Sequence, residues 1–213
     1  SGNIKNIIIS QIISILFMIR KNEINNNKHI LKQIQSLFSD KYEFNTKFKR
    51  VAPHMINFKQ ITNHLVGLTS LNIQNIFSNY AVTEKADGEN NFIYINIDGI
   101  YLINDRANVT KLDLKLQDIS LVNTLINGEY VQYLNSFYTF DILIFKGKEI
   151  TQLHLPDRLK CINEIQNNIK SSESFKLYTK KYYMSNMIES SDKIYNKTKF
   201  PYSIDGLVYT AIN

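Results

Sequence analysis

Lys85-Ala86-Asp87-Gly88 is the tetrad in this chain most able to do covalent chemistry. A lysine amine becomes a nucleophile once its ammonium gives up its proton, which burial and cationic neighbours favour. An acid and a flexible glycine beside it suit a site where the backbone must come close to a ligand. Taken alone, the tetrad is better described as a surface turn with a solvated lysine. The choice between these readings depends on residues elsewhere in the chain.

Two further glycines in acidic or amide company follow in order: Asn127-Gly128-Glu129 and Asp205-Gly206. Between them lies Phe137-Tyr138-Thr139-Phe140-Asp141. With only 7 glycines in 213 residues, those present are expected where backbone geometry demands them. Each piece is weak evidence by itself. The ordered set resembles the covalent nucleotidyltransferase superfamily of mRNA capping guanylyltransferases, DNA ligases and RNA ligases.

Within that superfamily the chain is most similar to capping enzymes of large cytoplasmic DNA viruses and yeast cytoplasmic linear plasmids. The segments that carry this are Asp105-Arg106 after an apolar run, Thr151-Gln152, Lys180-Lys181-Tyr182-Tyr183, and Pro201-Tyr202-Ser203-Ile204-Asp205-Gly206. The resemblance implies that Lys85 attacks the α-phosphate of GTP and forms a lysyl-N–GMP intermediate. GMP would then pass to the 5′-diphosphate end of RNA. It further implies Glu129 and Asp205 as ligands of Mg²⁺ or Mn²⁺, since these hard cations prefer oxygen donors. Phe140 would stack on guanine and Lys180 would donate to its O6, with Lys181 or Lys176 as substitutes. Glu84, Asp87, Gly88, Asn90 and Arg106 complete the expected nucleotide-binding set.

Two departures from the family pattern stand out. Asn90 occupies a place where the family usually has Arg, and Asn127 one where it usually has Asp. These leave open a degenerate, non-catalytic binding module as an alternative. An ATP-dependent polynucleotide ligase, using the same lysine chemistry, is the other. The resemblance also implies further capping domains in the same polypeptide or complex, and a cytoplasmic place of action.

The elements that must position these residues can be read from periodicity. Phe92–Ile97 and Ile100–Ile103 alternate with period two around Asp98-Gly99, which predicts a β-hairpin directly after the tetrad. Phe137–Phe145 is nearly continuous in apolar residues and predicts a strand buried on both faces. Gly147 predicts a turn after it, and Arg158–Ile169 an amphipathic helix. Strands are expected at 175–183 and 204–212. Ahead of the tetrad, Ile4–Ile19 and a second helix through Ile30, Ile34, Leu37 and Phe38 are separated by a break at Asn25–Asn27. A basic loop at Lys47, Lys49, Arg50 and Pro53 follows, then short helices at 56–65 and 71–77.

The expected fold is therefore α+β: a ligase/capping nucleotidyltransferase domain (ATP-grasp-like) of antiparallel sheets with flanking helices. Residues 1–44 are read as a helical preface or the tail of an upstream domain, and 45–213 as the nucleotidyltransferase domain. The family's next motif, a lysine-rich strand like Lys-Trp-Lys, and its oligonucleotide-binding (OB) fold domain are expected beyond Asn213, so residues 1–213 by themselves are expected to label poorly with GTP. Ser1-Gly2 reads as the remnant of a cleavage site.

Composition agrees with this reading. A hydrophobic content of 44% supports a sizeable core, and the formal charge of +6 suits a polyanionic partner. The single Cys161 excludes an internal disulfide or a cysteine-based zinc cluster, and fits a reducing compartment. His29, His54, His64 and His154 lack metal-ligand spacing. The Ile4–Ile19 segment is interrupted by polar residues and is too short for a spanning helix, so no membrane partner is expected.

Overall fold

The computed structural model describes residues 2–38 and 65–213. A long helix, α1 (Gly2–Leu37), opens the chain. It runs unbroken through Asn25–Asn27, where the sequence predicts an interruption. Asparagine costs less than about 0.7 kcal/mol in a helix interior, and no Gly or Pro occurs between Asn3 and Leu37. The basic loop at 47–53 and nearly all of the helix expected at 56–65 lie outside the described residues. A 3₁₀ turn, Ile73–Phe77, stands where a short helix is expected at 71–77.

The strands follow as β1 (Tyr80–Ala86), β2 (Glu89–Asn96), β3 (Gly99–Ile103), β4 (Val109–Leu112) and β5 (Lys115–Leu116). Next come β6 (Thr124–Val131), β7 (Ser136–Phe145), β8 (Lys148–Glu149) and the helix α2 (Leu155–Asn168). The chain then forms β9 (Ile169–Lys170), β10 (Lys176–Thr179), the short helix α3 (Met187–Asp192) and β11 (Ile204–Ala211). The main sheet has the order β10-β7-β6-β2-β3-β4, with β8 added to β7. It is antiparallel except for the parallel pair β10–β7. β1 and β11 form a separate antiparallel pair.

Alternation along β2 feeds two cores. Phe92 and Tyr94 join Leu125 and, from α1, Ile30, Leu31 and Ile34. Ile93 and Ile95 point the other way, to Ile126, Phe137 and the α2 residues Ile162 and Ile165. The main sheet is thus covered by a helix on each side, which is why its central strands read as continuous apolar runs. α2 starts three residues earlier than its apolar period suggests, with Pro156 in its first turn and Asp157 favourably placed near the positive end of the helix dipole.

Both predicted turns form. In the β2–β3 hairpin Asn96 pairs with Gly99, so the two loop residues are Ile97 and Asp98, one position earlier than expected. Gly99 needs its flexibility just after the turn, at φ +147°. In the β7–β8 turn Lys146 (φ 51°) and Gly147 (φ 79°) are both left-handed, the type I′ geometry that matches strand twist.

Candidate active site

The site is built where the β1–β11 pair meets the main sheet. Lys85 lies opposite Gly206 and Ala86 opposite Ile204, so Asp205 is the extra residue of a β-bulge. Gly206 takes φ +145°, a conformation that side chains strain to adopt, and this permits the bulge. The irregularity re-aims Asp205: Lys85 Nζ donates a hydrogen bond to Asp205 Oδ2. Both side chains are substantially open to solvent, at 40% and 51% exposure, so the pair is accessible to a ligand.

Residues 180–183 tie the two sheets together. The Lys180 N–H donates to Thr139 O of the main sheet (2.8 Å), and three residues on Tyr183 bridges Val82 of β1 in both directions (2.8 and 2.9 Å). This draws Lys180 beneath β1. Its ammonium donates to Glu84 O at 3.2 Å and lies 3.9 Å from Glu84 Oε1. It also sits 5.5 Å from the centre of the Phe140 ring. Burial pushes the Lys180 amine below its usual range, while Glu84 and Glu129 act in the opposite direction. Of the proposed substitutes, Lys181 has its ammonium over Tyr183 instead, and Lys176 lies at the far end of β10.

Glu84 is buried behind β1, on the face opposite Lys85. Its Oε1 accepts from Tyr202 Oη (2.8 Å) and its Oε2 from Thr83 Oγ1 (2.8 Å). Burial and the adjacent Glu84 carboxylate raise the Tyr202 hydroxyl above its usual range. The hydroxyls and the Lys180 ammonium together satisfy a carboxylate that would otherwise be costly to bury.

Glu129 stands on β6, paired with Asn90 of β2 and Tyr138 of β7. Its carboxyl is raised chiefly by burial, against Lys180, the Gly88 N–H and Lys85, all of which favour the charged form. A side chain at Gly88 would meet Glu129 Cγ at 2.8 Å and Tyr130 O at 2.9 Å, so only glycine lets this N–H approach. Asp87 is exposed, and its backbone N–H donates to Ser203 O at 2.9 Å. Asn90 is exposed on the same edge. Arg106, also exposed, lies in the β3–β4 turn; the pairing of Phe92 with Ile103 puts this turn at the sheet end where β2 leaves Gly88. Asp141 is engaged by Arg158 of α2, with Nε–Oδ1 at 2.8 Å, next to Phe140.

Lys85, Asp205, Glu129, Lys180, Glu84 and Gly88 therefore converge, and Phe140 stands beside Lys180. Asp87, Asn90 and Arg106 lie around the rim. Tyr202 and Arg158 were not singled out from the sequence. Tyr202 lies within the Pro201–Gly206 run, and Arg158 is a charge placed on the otherwise apolar face of α2.

The residues present suit a divalent cation bound through substrate. Among the described residues no group of three or more His, Cys, Asp or Glu could cage a metal. The two carboxylates Glu129 and Asp205 match the way Mg²⁺ is usually held, by one or two carboxylates plus phosphate oxygens. Asn127, on the same face of β6 as Glu129, adds a buried Oδ1 with no hydrogen-bond partner.

The raised Glu129 carboxyl has a measurable consequence. Between the unfolded and the raised folded pKa, the native state holds a proton that the unfolded chain has released. Stability should therefore fall as pH rises through that window, and the cost should persist above it. Glu129→Gln should remove this fall and be the more stable protein at pH 8, measured by urea unfolding across pH 4 to 8 (on the order of the ordinary carboxyl range upward). A variant less stable than wild type at pH 8 would contradict the burial argument.

A lysine set in a bulged strand pair against an antiparallel sheet, with the carboxylates of Asp205 and Glu129 beside it, has the parts that covalent group transfer uses. Residues 47–213 match the family described as mRNA capping enzyme, catalytic domain, and the chain belongs to that family. It is 26% identical over 222 aligned residues to the probable mRNA-capping enzyme of Acanthamoeba polyphaga mimivirus, covering 75% of this chain and 19% of that protein. It is 28% identical over 138 residues to the mRNA-capping enzyme of African swine fever virus (strain Badajoz 1971 Vero-adapted), covering 61% and 15%. The chain thus spans about a fifth or less of these relatives. A solved mycobacterial DNA ligase D complexed with ATP and MES is 14% identical, with a TM-score of 0.42, covering 63% of this chain and 48% of that one.

Proposed function

We propose that this chain carries the guanylyltransferase step of mRNA capping. The observation that carries the reading is the Lys85–Asp205 pair, joined across 120 residues of sequence by the β1–β11 bulge, in a member of the capping-enzyme catalytic-domain family. Lys85 Nζ, after losing a proton, attacks the α-phosphorus of GTP. A P–N bond forms, the bond from the α-phosphorus to the bridging oxygen breaks, and pyrophosphate leaves with that electron pair. In the second step a β-phosphate oxygen of 5′-diphosphate RNA attacks the same phosphorus. The P–N bond breaks, and the lysine amine is regenerated.

Asp205 orients the amine before attack. Phe140 supplies the face for guanine, and Lys180, beside that ring, is the donor for its O6. Gly88 lets the backbone approach the phosphates, while Asp87, Asn90 and Arg106 line the sugar and phosphate side. Glu129 and Asp205 would hold Mg²⁺ or Mn²⁺, which when bound neutralises charge on the triphosphate.

The length of the relatives supports a chain that works beside other capping domains, and their viral origin supports action in the cytoplasm. Among the described residues no helix is long and apolar enough to cross a membrane. The test is incubation of the full-length protein with α-labelled GTP or ATP and a divalent cation, followed by denaturing electrophoresis. An acid-labile adduct with GTP well above that with ATP is expected; equal labelling would overturn the choice of guanine.

A further inference from the structure

A groove of about 530 Å³ opens on the face of β1 opposite Lys85, and the transfer chemistry above does not use most of it. Its inner end is Glu84 and Lys180, and its outer end is Lys176, Tyr178 and Lys181. Register explains how it connects to the site. Asn90, Glu129 and Tyr138 are directly paired across β2, β6 and β7. Tyr178 of β10 pairs with Tyr138 in turn. One row of side chains therefore runs from Glu129 to the edge of the sheet.

The row is aromatic beyond Glu129. Tyr138 and Tyr178 stack at 5.2 Å with an interplanar angle of 17°. Tyr202 meets Tyr138 edge-on at 4.4 Å and stacks on Phe200 at 5.7 Å, giving the groove its second wall. Tyr138 and Tyr202 are buried, whereas Tyr178 is 41% exposed and offers the free side of its ring. Lys176 and Lys181, both exposed, flank it. Stacking faces interleaved with cations are what a single-stranded nucleic acid requires, because every base has a π-face and every link a negative charge. The one carboxylate at the inner end, Glu84, is already satisfied by two hydroxyls and Lys180, so it does not cancel the positive rim.

We infer that this groove holds the first nucleotides of the acceptor RNA, with a base stacked on Tyr178 and the backbone following Lys176 and Lys181. This rests on the guanylyltransferase reading for the identity of the acceptor. It adds a polynucleotide track leading from the sheet edge towards Glu129, meeting the guanine site at its inner end through Lys180. Tyr178 is a binding residue here and takes no part in the attack of Lys85.

The test compares wild type, Tyr178→Ala and Tyr178→Phe of the full-length protein, using a short 5′-diphosphate oligoribonucleotide labelled at its 3′ end. Fluorescence anisotropy reads RNA affinity, and labelling by GTP reads the first chemical step. Loss of one base–aromatic stack corresponds to roughly 5- to 150-fold weaker binding, the equivalent of about 1–3 kcal/mol. Tyr178→Ala is expected to weaken RNA binding by about 10-fold or more within that range. Tyr178→Phe should retain it, and all three proteins should label equally with GTP. RNA binding that is the same in wild type and Tyr178→Ala would overturn the assignment. So would an RNA-independent protein contact that covers Tyr178, which would make the groove a protein-docking surface. Failure of wild type to label with GTP would instead remove the guanylyltransferase reading, while the RNA comparison would still decide the groove.

Discussion

In the full-length protein, Lys85→Arg should abolish covalent labelling by GTP while leaving the fold intact. Arginine keeps the positive charge and can still pair with Asp205, so the β1–β11 bulge retains its ion pair. A guanidinium, however, does not lose its proton in a protein and cannot attack phosphorus. Lys85→Ala removes the same nucleophile along with the pair. Both variants should fall to background, a loss of at least about 10³-fold, because removing the attacking atom eliminates the covalent step itself. Equal melting temperatures for Lys85→Arg and wild type would separate chemistry from structure. An adduct mapped to another lysine, or labelling of the arginine variant, would overturn the assignment of the nucleophile.

The second large effect concerns stability. Arg158 of α2 donates to Asp141 Oδ1 (2.8 Å) and Oδ2 (3.4 Å) and to Leu153 O (2.5 Å). The Arg158 side chain is only 9% exposed and that of Asp141 22%. Removing one partner of such a pair leaves the other charged, largely out of water and without its counter-ion. Asp141→Ala should therefore cost about 3–5 kcal/mol in urea unfolding. Replacing both residues together, as Asp141→Leu with Arg158→Met, should restore most of that loss, since apolar pairs of similar size often match buried ion pairs. A single-variant loss below about 1 kcal/mol, the value typical of an exposed pair, would show that solvent already screens the interaction.

The same pair shows how differently the residues near Phe140 could be read beforehand. In sequence, Asp141 is an acid beside a candidate base platform. Folding gives it to Arg158, 17 residues on, because α2 packs back across β7 and brings its one buried cation there. Lys180 is a second case. Its place in a lysine-aromatic run marked it as a base contact, but only the bridge from Tyr183 to Val82 sets its ammonium beneath Glu84.

Local chemistry alone determined the hairpin after the tetrad, the doubly buried β7 and the helix α2, since each depends on a period of two or of 3.6 residues and on turn residues lying within one element. It also determined the order of the lysine, the carboxylates and the aromatic motif along the chain. The joining of α1 into one helix was beyond it, because Asn25–Asn27 only weakly opposes helix and no Gly or Pro interrupts the run. The meeting of Lys85 with Asp205 likewise needed the β1–β11 register and its bulge, which no local pattern specifies. The Glu129–Tyr138–Tyr178 row exists only because three strands, drawn from separate parts of the chain, align at one level of the sheet. Side chains that alternate along a strand are legible in order. Which of them become neighbours across strands is fixed by register, and register is set by the whole buried face.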